Sequence, residues 1–294
     1  MADNTEITAK PERLISPSDI LKPAFVMCPP FSLGAHDDAN VEKIFHQFLS
    51  VYTFISSNAL VYLLPYRDGL RIADLGVKLP HLDDQTIILS RISDGKETIS
   101  NKQFFEMMGY KVTVPPQAFY GEADLKWLGH NVYVGCFGEQ TDIAALSWLH
   151  DTFDMKIIPV RSTKGLLHLN HILFPTKPNS AIVVEGAIEP KVLKAIEKYT
   201  EVTLAPKELG FVGVTSCIRA TRLVLAGSNI NDLKKTDDTY ELEAKKILFL
   251  EKVCAKQALE PVVFNISEYS KFDVGLSAIF MHLNHVDYMT TAET

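Results

Sequence analysis

The 294-residue chain has only four cysteines, two tryptophans and no excess of positive charge. Each shortage removes a class of function. Cys28, Cys136, Cys217 and Cys254 lie far apart and form no Cys-x-x-Cys pair. They read as reduced thiols of a cytoplasmic protein and not as a disulfide framework. A formal net charge of −7 argues against a phosphate-binding face, so neither nucleic acid nor an anionic membrane is an expected partner. The longest apolar stretches, such as Ala59–Leu64 and Ile247–Leu250, fall far short of the roughly 20 residues that span a bilayer. The opening MADNTEITAKPERLISPSD lacks the apolar run of a secretory signal.

What remains is ordinary globular composition, 47% hydrophobic and 22% charged. Short β-branched and aromatic runs occur in pairs, each followed by an amphipathic helical stretch. The pairs are Ala59–Leu64 with Thr86–Ile92, Lys111–Val114 with Asn131–Cys136, Lys156–Val160 with Ala181–Glu185, Glu201–Ala205 with Arg222–Ala226, and Pro261–Ile266 with Ala278–Leu283. Helices are expected near Asn101–Gly109, Asp142–Phe153, Pro190–Tyr199 and Tyr240–Leu259, and Pro190 suits a first helical position. The second strands recur about every 40–55 residues, a period that signals a repeat architecture. The fifth unit lacks its helix, and Val41–Ser57 supplies an unpaired one at the other end. The expected fold is a single α/β domain over residues 21–288, a five-bladed α/β propeller with pseudo-fivefold symmetry. Residues 1–20 are expected to be a flexible N-terminal segment and 289–294 a C-terminal tail.

In such a ring the links between paired strands converge at one mouth. They are Tyr66–Gly76, Phe119–Asp124, Leu167–His171, Gly213–Arg219 and Lys271–Ala278. Asp68, Asp74, Glu122, Asp124 and His168 would then share one pocket: a cage for a planar cation, with one group able to move protons near neutral pH. Taken singly, Asp and Gly in such links are ordinary turn formers. The matching position in successive units favours a site.

These residues resemble the motifs of the guanidine-modifying, or pentein, superfamily. Met27-Cys28-Pro29-Pro30 is similar to its CPP entry strand. Asp68 with Asp74-Leu75-Gly76 matches a D-x-x-F-x-x-[DN]-x-G spacing, with Arg71 in place of the Phe. Phe119-Tyr120-Gly121-Glu122-Ala123-Asp124 resembles FEGxxD, and His168-Leu169-Asn170 resembles HLD, with Asn170 replacing the Asp. The resemblance implies an enzyme acting on a small guanidino substrate, arginine or an Nω-substituted arginine, with no metal and no organic cofactor. In that family a cysteine thiolate attacks the guanidinium carbon, a histidine moves protons, and acids hold the guanidinium nitrogens. Transfer of the amidino group to an amine is the alternative to hydrolysis.

One departure outweighs the matches. The family's nucleophile opens the final strand after a Gly-rich link, but here Val274-Gly275-Leu276-Ser277 leads to Ala278. Ala278 reads either as a deliberate Cys-to-Ala change in an otherwise active enzyme or as a natural loss that leaves a guanidino-binding pseudoenzyme. Strand alternation would turn the Ser277 hydroxyl away if Ala278 faced inward. Asn170 would weaken bidentate ion pairing. Arg219 and Arg71 are candidates for the substrate's carboxylate, Arg222 for the same role, and solvent-facing ion pairs are the alternative. His168/His171 and His282/His285 have zinc-like spacing, but residues i and i+3 of a strand diverge, so no metal is expected. A homo-oligomer is left open.

Overall fold

The computed structural model describes residues 22–30, 39–64, 71–82, 85–92, 96–162 and 168–286, with backbone alone for 96–100. Asp68, and the two terminal segments expected to be loose, lie outside them.

Among the described residues, fifteen short strands are built into five separate three-stranded sheets. Chain order gives β1 Ala24–Met27, β2 Leu60–Leu63, β3 Gly76–Lys78, β4 Thr86–Leu89, β5 Lys111–Thr113, β6 Leu125–Gly129, β7 Val132–Phe137 and β8 Lys156–Arg161. There follow β9 Leu173–Lys177, β10 Ser180–Val184, β11 Glu201–Ala205, β12 Cys217–Ala220, β13 Leu223–Ser228, β14 Glu260–Asn265 and β15 Met281–His282. The five main helices are α1 Val41–Asn58, α2 Lys96–Met107, α3 Ile143–Phe153, α4 Pro190–Ile196 and α5 Asp238–Lys256.

Every sheet has the same plan. An inner strand pairs antiparallel with a middle strand, a helix crosses over, and an outer strand pairs parallel with the middle one. The repeating unit is therefore strand–strand–helix–strand, which corrects the two-strand unit expected from sequence. Four of the five expected strand pairs combined the outer strand of one unit with the middle strand of the next, and the fifth combined outer β14 with inner β15. The inner strands β3, β6, β9 and β12 were missed. The last sheet is shared between the chain ends, with β15 pairing β1 at Phe25↔His282 and Val26↔Met281. There α1 fills the place of the missing fifth helix, as anticipated.

Local chemistry explains the elements. The Asn40 side chain accepts the Lys43 N–H at 2.9 Å and starts α1, whose buried residues Ile44, Gln47, Phe48, Val51 and Ile55 form one stripe. Asp142 caps α3 through the Ala144 N–H, Pro190 opens α4, and Gly109 follows α2 at φ +86. Middle strands such as β4 and β10 are buried throughout, because partners flank them on both edges and helices cover one face.

The inner ends meet around a common centre. β15 touches β3, β6 touches β9, and β9 touches β12, while the single turn Leu276–Ile279 before β15 touches β12. Five blades with pseudo-fivefold repetition are thus arranged edge to edge. Among the described residues no helix is long and apolar enough to cross a membrane.

Candidate active site

Four of the five inner strands are preceded by a single helical turn: Ile72–Leu75, Gly121–Asp124, Leu169–His171 and Leu276–Ile279. The first touches the second and the fourth, and the second touches the third, so links from different blades meet. Gly121 makes the closest approach. Its φ is +52, and a Cβ there would lie 2.7 Å from the backbone N and O of Gly76.

At this junction the buried Asp124 Oδ1 lies 3.0 Å from His168 Nδ1 and accepts the Leu169 N–H at 3.3 Å. Its Oδ2 accepts the Thr141 hydroxyl at 2.6 Å, and the same Thr141 oxygen accepts the Tyr120 N–H. Three hydrogen-bonding groups on two other segments fix Asp124. Burial opposes charge on His168, but the hydrogen bond and charge of Asp124, with Asp74 adding, hold its imidazole above the ordinary value. Burial first, then Asp74 and Asp124, push the Tyr120 phenol up, and its ring sits 5.6 Å from that of His168. Burial and then the charge of His168 push His171 down.

Arg71 joins the first link to the fifth, its Nη2 donating to the Asp273 carbonyl at 3.2 Å. Asn170 is buried, and its Oδ1 has no hydrogen-bond partner among the described residues, while its carbonyl accepts the Thr215 hydroxyl. Ala278 lies half-buried on the fifth link's turn, which packs against the turn carrying Asp74.

The structure thus groups Asp74, Asp124, His168, Asn170 and Arg71, with Ala278 on an adjoining turn. Three expected members are elsewhere. The buried Glu122 accepts the His282 N–H at 2.8 Å through Oε2 and faces His282 Nδ1 at 2.5 Å through Oε1, with Lys126 3.9 Å away. Burial opposes its ionisation most strongly, but the charge and hydrogen bond of His282, with Lys126 and His285 adding, together outweigh it and hold the carboxyl far below its usual range. It is committed to an internal ion pair, because two residues on a helix turn point about 200° apart, which separates Glu122 from Asp124.

Arg219 is also elsewhere. It is buried, with Nε donating to Thr221 O and Nη1 to Thr176 O, between the third and fourth blades. Arg222 is exposed, 3.8 Å from Glu260. Ser277 lies in a helical turn, so strand alternation does not apply, and its hydroxyl meets that of Ser216 at 2.9 Å. His282 and His285 do not diverge either. The chain leaves the strand after His282, and the two rings stack at 4.8 Å. No group of three or more metal-ligating side chains occurs among the described residues.

Sequence reasoning gave no role to Thr141 or Thr215, and weighed His171 only as a metal ligand. Thr141 sits beside the helix cap Asp142 and carries no motif of its own. The four cysteines are unbridged thiols, all buried, and burial pushes Cys136 and Cys217 up to about 12 and Cys254 up to about 11.

No family model matches the chain. Solved structures resemble it over nearly its whole length. The N-terminal domain of ArgZ, an arginine dihydrolase of the ornithine–ammonia cycle in cyanobacteria, superposes with a TM-score of 0.74 at 14% identity. That match covers 90% of this chain and 98% of the other. AgrE in complex with ornithine and NAD+ gives 0.75 at 16% identity, over 91% of this chain and 40% of AgrE. Dimethylarginine dimethylaminohydrolase gives 0.64 at 13% identity, over 89% and 99%. The chain has the pentein fold. Among curated proteins, the uncharacterized protein YkgA of Bacillus subtilis (strain 168) is 27% identical over 181 residues, 59% of this chain and 63% of YkgA.

Proposed function

We propose that the convergent links form a guanidino-group pocket for arginine or an Nω-substituted arginine, of the kind used for C–N hydrolysis through a Cys-linked amidino intermediate. The buried Asp124–His168 pair carries this reading. The site supplies carboxylates for a planar cation, an imidazole with a raised pKa, and on Asn170 an acceptor that no described residue fills, suited to a guanidinium N–H. Position 278 is where a nucleophilic cysteine would stand.

With Ala278 the chain has no thiolate to attack the guanidinium carbon. All four native thiols are buried, which disfavours their recruitment. Deliberate or natural, the Ala leaves a protein that holds a guanidino compound without Cys-linked turnover. In the Ala278→Cys variant, sulfur would bond the guanidinium carbon and the leaving amine would take a proton from His168. Water would then release the carbonyl product and restore the thiol. An amine in place of water would give amidino transfer.

Calorimetry with arginine, methylated arginines and agmatine tests binding. Ala278→Cys, assayed for ammonia, citrulline, ornithine and amine release, tests chemistry. Binding by the chain as it stands and turnover only in Ala278→Cys are the expected results. Failure of every guanidino compound to bind sinks the reading.

A further inference from the structure

The two ring nitrogens of His168 meet different surroundings. Nδ1 lies 3.0 Å from Asp124 Oδ1, and an ionised carboxylate only accepts, so Nδ1 carries a hydrogen whether the ring is charged or neutral. The carboxylate is not free to turn, because the Leu169 N–H and the Thr141 hydroxyl hold the same group. Nε2 hydrogen-bonds no described residue. The ring stands between Tyr120, with centroids 5.6 Å apart, and His171, at 6.2 Å. Two residues along the same link, the buried Asn170 Oδ1 is an acceptor that no described residue fills.

This anchoring decides what Nε2 can offer. A neutral imidazole bonded to Asp124 through Nδ1–H has a lone pair on Nε2, whereas an imidazolium has a second N–H there. A guanidinium carries only N–H donors and a positive charge. It finds an acceptor on neutral His168, but on the imidazolium it meets a donor of like charge. The charged and titratable groups around His168 are Asp124 and Tyr120 from the second link, Asp74 and Arg71 from the first, and His171 from its own turn, where Asp273 of the fifth link also acts. Burial opposes the proton on His168, and Asp124 and Asp74 together hold it there. A bound cation adds a second charge that opposes it.

We propose that a guanidinium bound in the central pocket donates an N–H to His168 Nε2, and that its capture expels the imidazolium proton to solvent. Resting on the guanidino reading of the pocket, this makes His168 a gate that admits the cation only in its neutral form. Nε2 gives its hydrogen to the buffer, Nδ1 keeps its own, and Asp124 stays ionised. In Ala278→Cys the proton of the sulfur would return to the imidazole before the leaving amine needs it, whereas the chain as it stands has no such source.

The probe is methylguanidinium chloride, whose charge stays constant between about pH 5.5 and 8, the range in which histidine titrates. It is titrated calorimetrically into the full chain at constant ionic strength, in buffers of low and of high ionisation enthalpy. Affinity is expected to rise about tenfold per pH unit below the folded-state pKa of His168 and to level off above it. On the acidic side about one proton leaves per ligand bound. Nitrogen NMR of His168 in the saturated complex, on that same side, should show a neutral ring protonated at Nδ1, and this decides the matter even where a variant fails to fold. Asp124→Asn moves the break in affinity to lower pH, His168→Gln removes the proton release, and His171→Gln retains it. The proposal is overturned if affinity stays flat or falls as pH rises, if the complex holds an imidazolium, or if the release survives in His168→Gln. Binding without any of this coupling leaves the guanidino pocket standing, and binding at no pH sinks the pocket and the gate together.

Discussion

Asp124 Oδ1 and His168 Nδ1 lie 3.0 Å apart although 44 residues separate them, and each side chain is at most 5% exposed. The pair ties the second link to the third. Because Thr141 and the Leu169 N–H also bond the carboxylate, it cannot turn away from the imidazole without breaking several hydrogen bonds. Asp124→Asn removes the main influence that raises the His168 pKa, so an NMR titration of that imidazole shifts downward. Unfolding free energy falls by about 1–3 kcal/mol, the usual cost of leaving buried hydrogen-bonding groups imperfectly matched. An unchanged titration means that Asp124 is not what holds the proton on His168.

The same pair gives the fold a pH dependence. Since the folded-state pKa of His168 lies above its unfolded value, the protonated imidazole stabilises the native state fully below that unfolded value, near 6.5. The contribution is lost as pH rises through the folded-state pKa. Denaturant melts of the native chain and of His168→Gln should therefore differ most at pH 6 and converge as pH rises. A difference that grows with pH contradicts the assignment.

Glu122 separates a structural role from a binding one. Its carboxylate clamps His282 across 160 residues of sequence, and its folded pKa lies below the ordinary value. Its stabilisation is therefore present above the unfolded carboxyl pKa and is lost as pH falls through the folded one. Glu122→Gln removes one partner of a buried ion pair and should cost about 3–5 kcal/mol in chemical denaturation. Arginine affinity of the fraction that remains folded should be unchanged. Lost affinity with stability intact would return Glu122 to the cage from which the geometry excludes it.

The helices and middle strands were legible because their signals are strong. Asn40 and Asp142 are cap residues before apolar stripes, and Ala181–Val184 is a continuous apolar run because that strand is buried on every side. Four of the inner strands left no such trace. β3 has three residues, and β12 contains Arg219, whose guanidinium is satisfied by carbonyls that only the tertiary fold brings near. The grouping of acids with His168 followed from the repeat, since equivalent links must meet when equivalent blades do. Which carboxylate turns inward depends on helical phase within one turn, and a four-residue GEAD motif does not display that phase. Glu122 was therefore misplaced and Asp124 was not.

Ala278→Cys gives a chemical readout independent of turnover. All four native thiols are buried, and burial pushes Cys136, Cys217 and Cys254 well up, so background alkylation of the folded protein is slow. A new thiol on the Leu276–Ile279 turn lies against the turn that carries Asp74. Negative charge nearby disfavours a thiolate, so iodoacetamide should modify it more slowly than a free thiol at pH 7. A bound guanidinium reverses the sign of the local field. A small non-reacting guanidine such as methylguanidine, which leaves the thiol uncovered, should therefore accelerate alkylation and lower the pH midpoint of the rate. If methylguanidine leaves both rate and midpoint where they were, position 278 does not face the cation, and the nucleophile's place in this fold must be sought elsewhere.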